Sequence, residues 1–195
     1  MIKKETPVEA PIHDLIASRW SPRAFNSDFF IDKDTERSLF EAARWAPSCY
    51  GDQPWKFIVF NKSDATAWSQ ALNCLSVGNQ NWAMDAALLI VACANKNFNH
   101  NGEPNRFSQY DTGAASENLC LQATSMGLQA HQMGGYDSDK VRNLAKVPED
   151  FDIMACIAVG QGLETSQLSE EQKERELSPR KRRPLDEIYS VNEWK

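Results

Sequence analysis

Two arginines and a serine alternate through Arg19-Trp20-Ser21-Pro22-Arg23-Ala24-Phe25, around a proline. Guanidinium forks match phosphate and carboxylate oxygens, and a hydroxyl adds a donor, so the segment has the chemistry of an anion site. A solvated basic turn is the competing reading. A second stretch, Ala46-Pro47-Ser48-Cys49-Tyr50-Gly51-Asp52-Gln53-Pro54-Trp55, offers backbone amides, the Ser48 hydroxyl and the Gln53 amide beside an aromatic ring. Such a loop could read the polar edge of a flat heterocycle, or serve only as a connection stiffened by prolines. Within it, Cys49 is either a redox thiol or a small neighbour of a ligand. Asp52 is either a proton carrier or a turn residue. In Met133-Gly134-Gly135-Tyr136-Asp137 the paired glycines let a backbone approach a ligand closely, or simply make a turn. Arg180-Lys181-Arg182-Arg183-Pro184 is a basic run that suits a solvated face, a nucleic-acid contact or a private anion site.

These residues need elements to hold them. Ile12, Leu15 and Ile16 share a helical face over 11–19, which Pro22 ends. A second helix spans 32–44, closed by the loop containing Pro47 and Gly51. Three short apolar runs predict buried strands at 55–60, 86–93 and 151–159, with a shorter one at 128–132. Helices are predicted over 63–72, 110–126 and 138–145. The longest carries small residues around much of its circumference, as expected of a helix surrounded by other elements. Residues 95–107, rich in asparagine, read as an exposed loop and a candidate lid. The polar stretch 163–177 leads to a tail with Leu185, Ile188, Tyr189, Val191 and Trp194, apolar enough to need a covering surface. Helices and strands alternate without regular βαβ units, which predicts an α+β fold around a central mixed or antiparallel sheet. Gly160-Gln161-Gly162 lacks the third glycine of a dinucleotide-binding turn.

At 195 residues, 42% hydrophobic and 25% charged, the chain has the composition of a folded domain. A net charge of −6 argues against general nucleic-acid binding, which needs a basic surface. No apolar run approaches the roughly 20 residues of a membrane span, and the N-terminus has no apolar core of a secretory signal. Five scattered cysteines without a CxxC pair fit reduced thiols in a cytoplasm. Three histidines at unrelated spacings give no expected metal site.

Taken in order, the RxSxRxF and APSxxxxQPW patterns, Gly78-Asn79-Gln80-Asn81-Trp82, MGGYD and the late basic stretch before Pro-Leu-Asp-Glu resemble the nitroreductase family of flavoproteins, from about Ile12 to Trp194. The resemblance implies a single nitroreductase-like domain over 1–195, with a C-terminal extension packed on a partner subunit. It implies a homodimer with bound FMN at the interface. NADH or NADPH would be the donor, and electron-poor small molecules such as nitroaromatics or quinones would be reduced by ping-pong hydride transfer through flavin N5. Alkene reduction, reductive dehalogenation and non-catalytic flavin binding are alternatives on the same fold. By resemblance, Arg19, Arg180 and Arg182 hold the phosphate, and Arg23 stabilises the reduced ring at its N1/O2 edge. Trp20 and Ser21 add contacts, and Asn79 meets the pyrimidine edge. The backbone of Met133, Gly134 and Gly135 passes N5 and O4. Pro47, Ser48 and Cys49 come from the partner chain, with Gln53 in the same loop. Two positions depart from the family pattern. Gly51 replaces an asparagine that many relatives use on the cofactor, and Trp82 replaces a lysine found in some.

Overall fold

The computed structural model describes Ile2 and residues 4–194. Four strands form one sheet: β1 (Trp55–Asn61), β2 (Leu88–Asn95), β3 (Gln129–Met133) and β4 (Phe151–Gly160), in the order β1-β2-β4-β3. Every pairing is antiparallel, so of the two expected sheet types the antiparallel one is found. A register shift interrupts the β2–β4 ladder between Ala92 and Cys93.

The central strands are buried on both faces, which is why their sequences are continuously apolar instead of alternating. One face carries Leu88, Ile90, Ala92, Ile157 and Val159. It packs on α2 (Lys33–Arg44) through Leu39 and Ala43, and on α5 (Ser108–Ser125) through Ala115, Leu119, Cys120 and Ala123. The other carries Leu89, Val91, Cys93, Cys156 and Ala158. It packs on α3 (Ala65–Leu72), α4 (Val77–Ala83) and α6 (Ser138–Ala145) through Trp68, Ala71, Trp82, Ala83 and Val141. Two shorter helices, α1 (Asp14–Ser18) and α7 (Glu170–Glu176), lie outside these layers in sequence.

Local chemistry explains the helix starts. Asp32, Asp64 and Asp137 each accept a hydrogen bond from a backbone N–H in the first turn of the following helix. Ser169 and Gln172 form a reciprocal capping box at α7. Two helices depart from the sequence reading. α4 contains Gly78 and Asn79, poor helix formers, and is held by tertiary contacts instead. α7 lies in what reads as a featureless acidic stretch, yet it delivers a buried glutamate. α5 is also less enclosed than its small residues suggest: Tyr110 and Gly113 stay exposed on the face opposite Leu119. In the tail, Ile188, Tyr189, Val191 and Trp194 are exposed within the single chain.

All five cysteines are free thiols. Burial pushes Cys93 up to about 11 and Cys120 and Cys156 up to about 12, and it raises Cys74 as well. Thiolate is the reactive form, so these four should be inert in the folded protein. Dithionitrobenzoate at pH 8 is expected to leave them unmodified until denaturant is added. Native modification of any thiol besides Cys49, mapped by mass spectrometry, would contradict this packing.

Candidate functional site

The RxSxR segment follows α1 and runs along the β3 edge of the sheet. Phe25 forms a lone antiparallel bridge with Gly162, just past the end of β4. Trp20, Pro22, Ala24 and Phe25 are buried, while Ser21 and Arg23 face outward and Arg19 is half-buried. This alternation aims the polar side chains into a cleft of about 450 Å³. Lys4, Arg19, Arg23, Arg175, Arg180 and Arg182 all line it, facing one buried carboxylate, Glu176. So many cations around one opening make an electrostatic site for an anion such as a phosphate.

The cations are not equivalent. Arg180 donates to the carbonyls of Lys4, Glu5, Ala17 and Arg19 and to the Thr6 hydroxyl. Its fork ties the N-terminal segment and α1 to the C-terminal segment. Burial, then the charges of Arg182 and Arg19, hold its pKa below the usual arginine value. Arg19 reaches Glu117 of α5 at 3.3 Å and the Ser21 hydroxyl at 3.4 Å. Arg182 is exposed and donates to the Lys181 carbonyl. Among the described residues, the Arg23 guanidinium has no hydrogen-bond or ion-pair partner. Trp20 packs with Ile2, Ala24 and Leu168, has Lys4 4.4 Å over its ring and leaves its indole N–H unpaired.

Three residues that motif reading passes over complete this region. His131 of β3 donates from Nδ1 to the Pro22 carbonyl at 2.8 Å and lies 4.6 Å from the Trp82 ring. Burial lowers its pKa, and Arg23 and Arg19 add to the effect over the opposing pull of the Pro22 bond, so the ring is neutral near pH 7. Glu176 of α7 accepts the Arg23 backbone N–H at 3.1 and 3.2 Å. Arg175 donates to the same carboxylate at 3.3 Å. A lone strand histidine and one glutamate among several carry no motif. The Ser169-x-x-Gln172 box is the signal that could have marked the helix that bears Glu176.

A second group assembles where α4 meets the end of β3. Asn79 Nδ2 donates to the Gly135 carbonyl at 2.9 Å, and Ser76 N–H donates to the same oxygen at 2.9 Å. A Cβ on Gly135 would sit 2.7 Å from the Asn79 and Ser76 side chains, so this glycine is required for the close approach. Gly134 is exposed with open space around it, and the Met133 side chain is buried in the core. Trp82 belongs to that core too, stacked on Phe25 at 6.2 Å.

The loop with Pro47, Ser48, Cys49 and Gln53 lies elsewhere. Cys49 N–H donates to the buried Asp111 carboxylate at the start of α5, and Gln53 N–H to the Ser48 hydroxyl. Tyr50, Gly51 and Gln53 have φ of 56°, 67° and 49°, left-handed positions on either side of the right-handed Asp52 that two side chains tolerate at a cost. Asp52 stabilises the loop by accepting from Asn99 N–H and from His100 Nδ1, each at 3.0 Å. Burial would raise the Asp52 carboxyl, but these bonds outweigh it and hold the pKa below the usual carboxylate value. The asparagine-rich segment is thus fastened to this loop, with Tyr50, Phe98 and His100 in edge contact. The loop precedes Trp55, whose partner Ala94 lies at the end of β2 where β4 begins; the cleft lies where β4 finishes. β4 has ten residues, so the two ends are roughly 30 Å apart. The loop and the cationic cleft occupy diagonal corners of the sheet.

This arrangement of segments matches known proteins. The family model described as Nitroreductase family matches residues 16–161. The chain belongs to the nitroreductase family. A solved structure titled as an oxidoreductase containing FMN superposes with a TM-score of 0.90 at 32% identity, covering 100% of this chain and 99% of the other. Protein DrgA of Synechocystis is 28% identical over 181 residues, 77% of this chain and 84% of its own length. The oxygen-insensitive NADPH nitroreductase of Helicobacter acinonychis is 24% identical over 197 residues, 82% of this chain and 91% of its own.

The ties of Arg180 give this nitroreductase-family chain a stability test. Arg180→Ala is expected to cost about 1.5–3 kcal/mol in urea unfolding, the scale of charge-assisted hydrogen bonds. Arg180→Lys should recover little of it, because an ammonium cannot reproduce the planar fork. Wild-type stability in both variants would show that the ties carry no weight.

Proposed function

We propose that the protein is an FMN-dependent NAD(P)H oxidoreductase, acting as a homodimer on electron-poor small molecules such as nitroaromatics and quinones. The observation that carries this reading is the cleft lined by six cations, in which the Arg23 guanidinium has no partner among the described residues, in a chain of this family. The names of the relatives support it, since one structure contains FMN and one enzyme uses NADPH.

The residues present fit the cofactor. A phosphate suits Arg19 and Arg182, which lie in the cleft, and Ser21 supplies a hydroxyl beside them. Arg180, committed to carbonyls, supports these residues by fixing the Arg19 backbone. Arg23 places a fixed positive charge at the N1/O2 edge, where negative charge collects on reduction. Asn79 donates one amide N–H to Gly135, which leaves its carbonyl oxygen and its second N–H for the pyrimidine edge. Gly134 leaves room for close backbone approach to the ring. Bound FMN would supply the redox chemistry, passing electrons from NAD(P)H to the acceptor. Because Pro47, Ser48, Cys49 and Gln53 stand at the far corner, their share in the same site has to come from a second copy. That copy would also cover the exposed tail and the open face of α5.

Absorbance spectra of the purified protein, before and after anaerobic NADH or NADPH, test the reading. A flavin spectrum that bleaches is expected, and the more effective donor names the preference. Failure to take up added FMN would overturn it. Arg23→Ala should then lower the midpoint potential of bound FMN by the equivalent of at least about tenfold in the reduction equilibrium, roughly 30 mV for a two-electron couple. An unchanged potential would remove Arg23 from that role.

A further inference from the structure

The Pro22 carbonyl and the Arg23 N–H belong to one peptide group, and two different elements grip its two ends. His131 on β3 holds the carbonyl at 2.8 Å. Glu176 on α7 holds the N–H with both carboxylate oxygens, at 3.1 and 3.2 Å. Rotation of this peptide plane would break both sets of bonds. Its neighbours are fixed as well: the ring of the fully buried Pro22 sets its own φ, and Ala24 and Phe25 are buried. The anchors are themselves pinned, His131 by the Trp82 ring and Glu176 by Arg175. The clamp leaves the Arg23 guanidinium itself without a partner among the described residues, projecting from a fixed backbone.

Charge makes the choice of Glu176 informative. A carboxylate 2% exposed beneath a ring of cations weakens the field an incoming anion meets. For anion affinity alone, a neutral acceptor would serve better. The bidentate grip on a backbone N–H accounts for its presence, since an ionised acceptor makes the stronger bond.

We propose that Glu176 and His131 are positioning residues for Arg23, clamping the Pro22–Arg23 peptide so that the guanidinium meets the cofactor edge in one orientation. The proposal rests on the FMN reading above. It separates a task for the C-terminal segment, orientation of Arg23, from the phosphate-holding task of the neighbouring arginines.

The test compares Glu176→Gln with Glu176→Ala in the FMN-loaded protein. Both remove the same charge, and only glutamine keeps an oxygen for the Arg23 N–H. The alanine variant is expected to have a lower FMN midpoint potential than the glutamine variant, by about tenfold in the reduction equilibrium, or roughly 30 mV. The ratio of FMN to riboflavin affinity, which reports on the phosphate, should be the same in both. His131→Phe keeps a ring against Trp82 and loses the donor to Pro22, so it should lower the potential in the same direction. Combined with Arg23→Ala, neither substitution should lower it further, because their effect passes through Arg23. Equal potentials in the two Glu176 variants, or shifts that persist without Arg23, overturn the clamp. If Glu176→Ala does not fold, a wild-type potential in His131→Phe overturns it alone. A wild-type protein that takes up no FMN defeats the functional reading itself, and the proposal with it; a potential indifferent to Arg23→Ala leaves that reading standing and overturns the proposal alone.

Discussion

The β2–β4 ladder is the constraint from which the remaining architecture follows. Both strands are buried on both faces, so each face must be covered, and helices pack on the two sides of the sheet. Fixing four antiparallel strands also fixes where their ends lie. Segments that enter or leave at the finish of β4 gather beside β3, and those at its start gather beyond β1. Chemistry-bearing residues therefore fall into separate corner groups, and which group a residue joins is decided by strand direction rather than by nearness in sequence.

That geometry gives a physical reason for a shared site. A single chain brings together Arg19, Ser21, Arg23, Arg180 and Arg182, and separately Asn79 with Met133, Gly134 and Gly135. It cannot add the loop with Ser48 and Cys49 without bending the sheet. The loop is nevertheless built with care: its left-handed positions are held by Asp52 and by the segment carrying Asn99 and His100.

Much of this was legible in the sequence, and the failures have causes. Strands declared themselves because a strand buried on both faces must be apolar, as over 88–94 and 156–159. Helices with aspartate caps were equally plain. α4 was missed because Gly78 and Asn79 argue against a helix, and the contacts that override them, such as Asn79 to Gly135, are not local. Arg19, Arg23, Arg180 and Arg182 could be named as anion candidates from their segments and joined in one site by family resemblance, while Arg175 went unnamed. Their division of labour could not, since nothing in Arg180-Lys181-Arg182-Arg183 says that the first arginine faces backbone carbonyls and the second is exposed. Glu176 and His131 were hidden for a related reason. Their partners are backbone atoms of Pro22 and Arg23, and backbone atoms leave no mark in a sequence.

The basic run and the acidic net charge reconcile at this site. A chain of charge −6 repels anions at a distance, so a site for one must concentrate its cations and keep them from pairing with the surrounding acids. The fold does this in part: Arg19 pairs with Glu117 and Arg175 with Glu176, while other charged groups are turned onto backbone atoms. Arg180 is held by carbonyls instead of a carboxylate, and Glu176 by an N–H as well as by Arg175. Had Glu176 closed on Arg23 through the guanidinium, that charge would have been paired within the cleft. Gripping the peptide of the same residue holds Arg23 equally well and leaves that charge available.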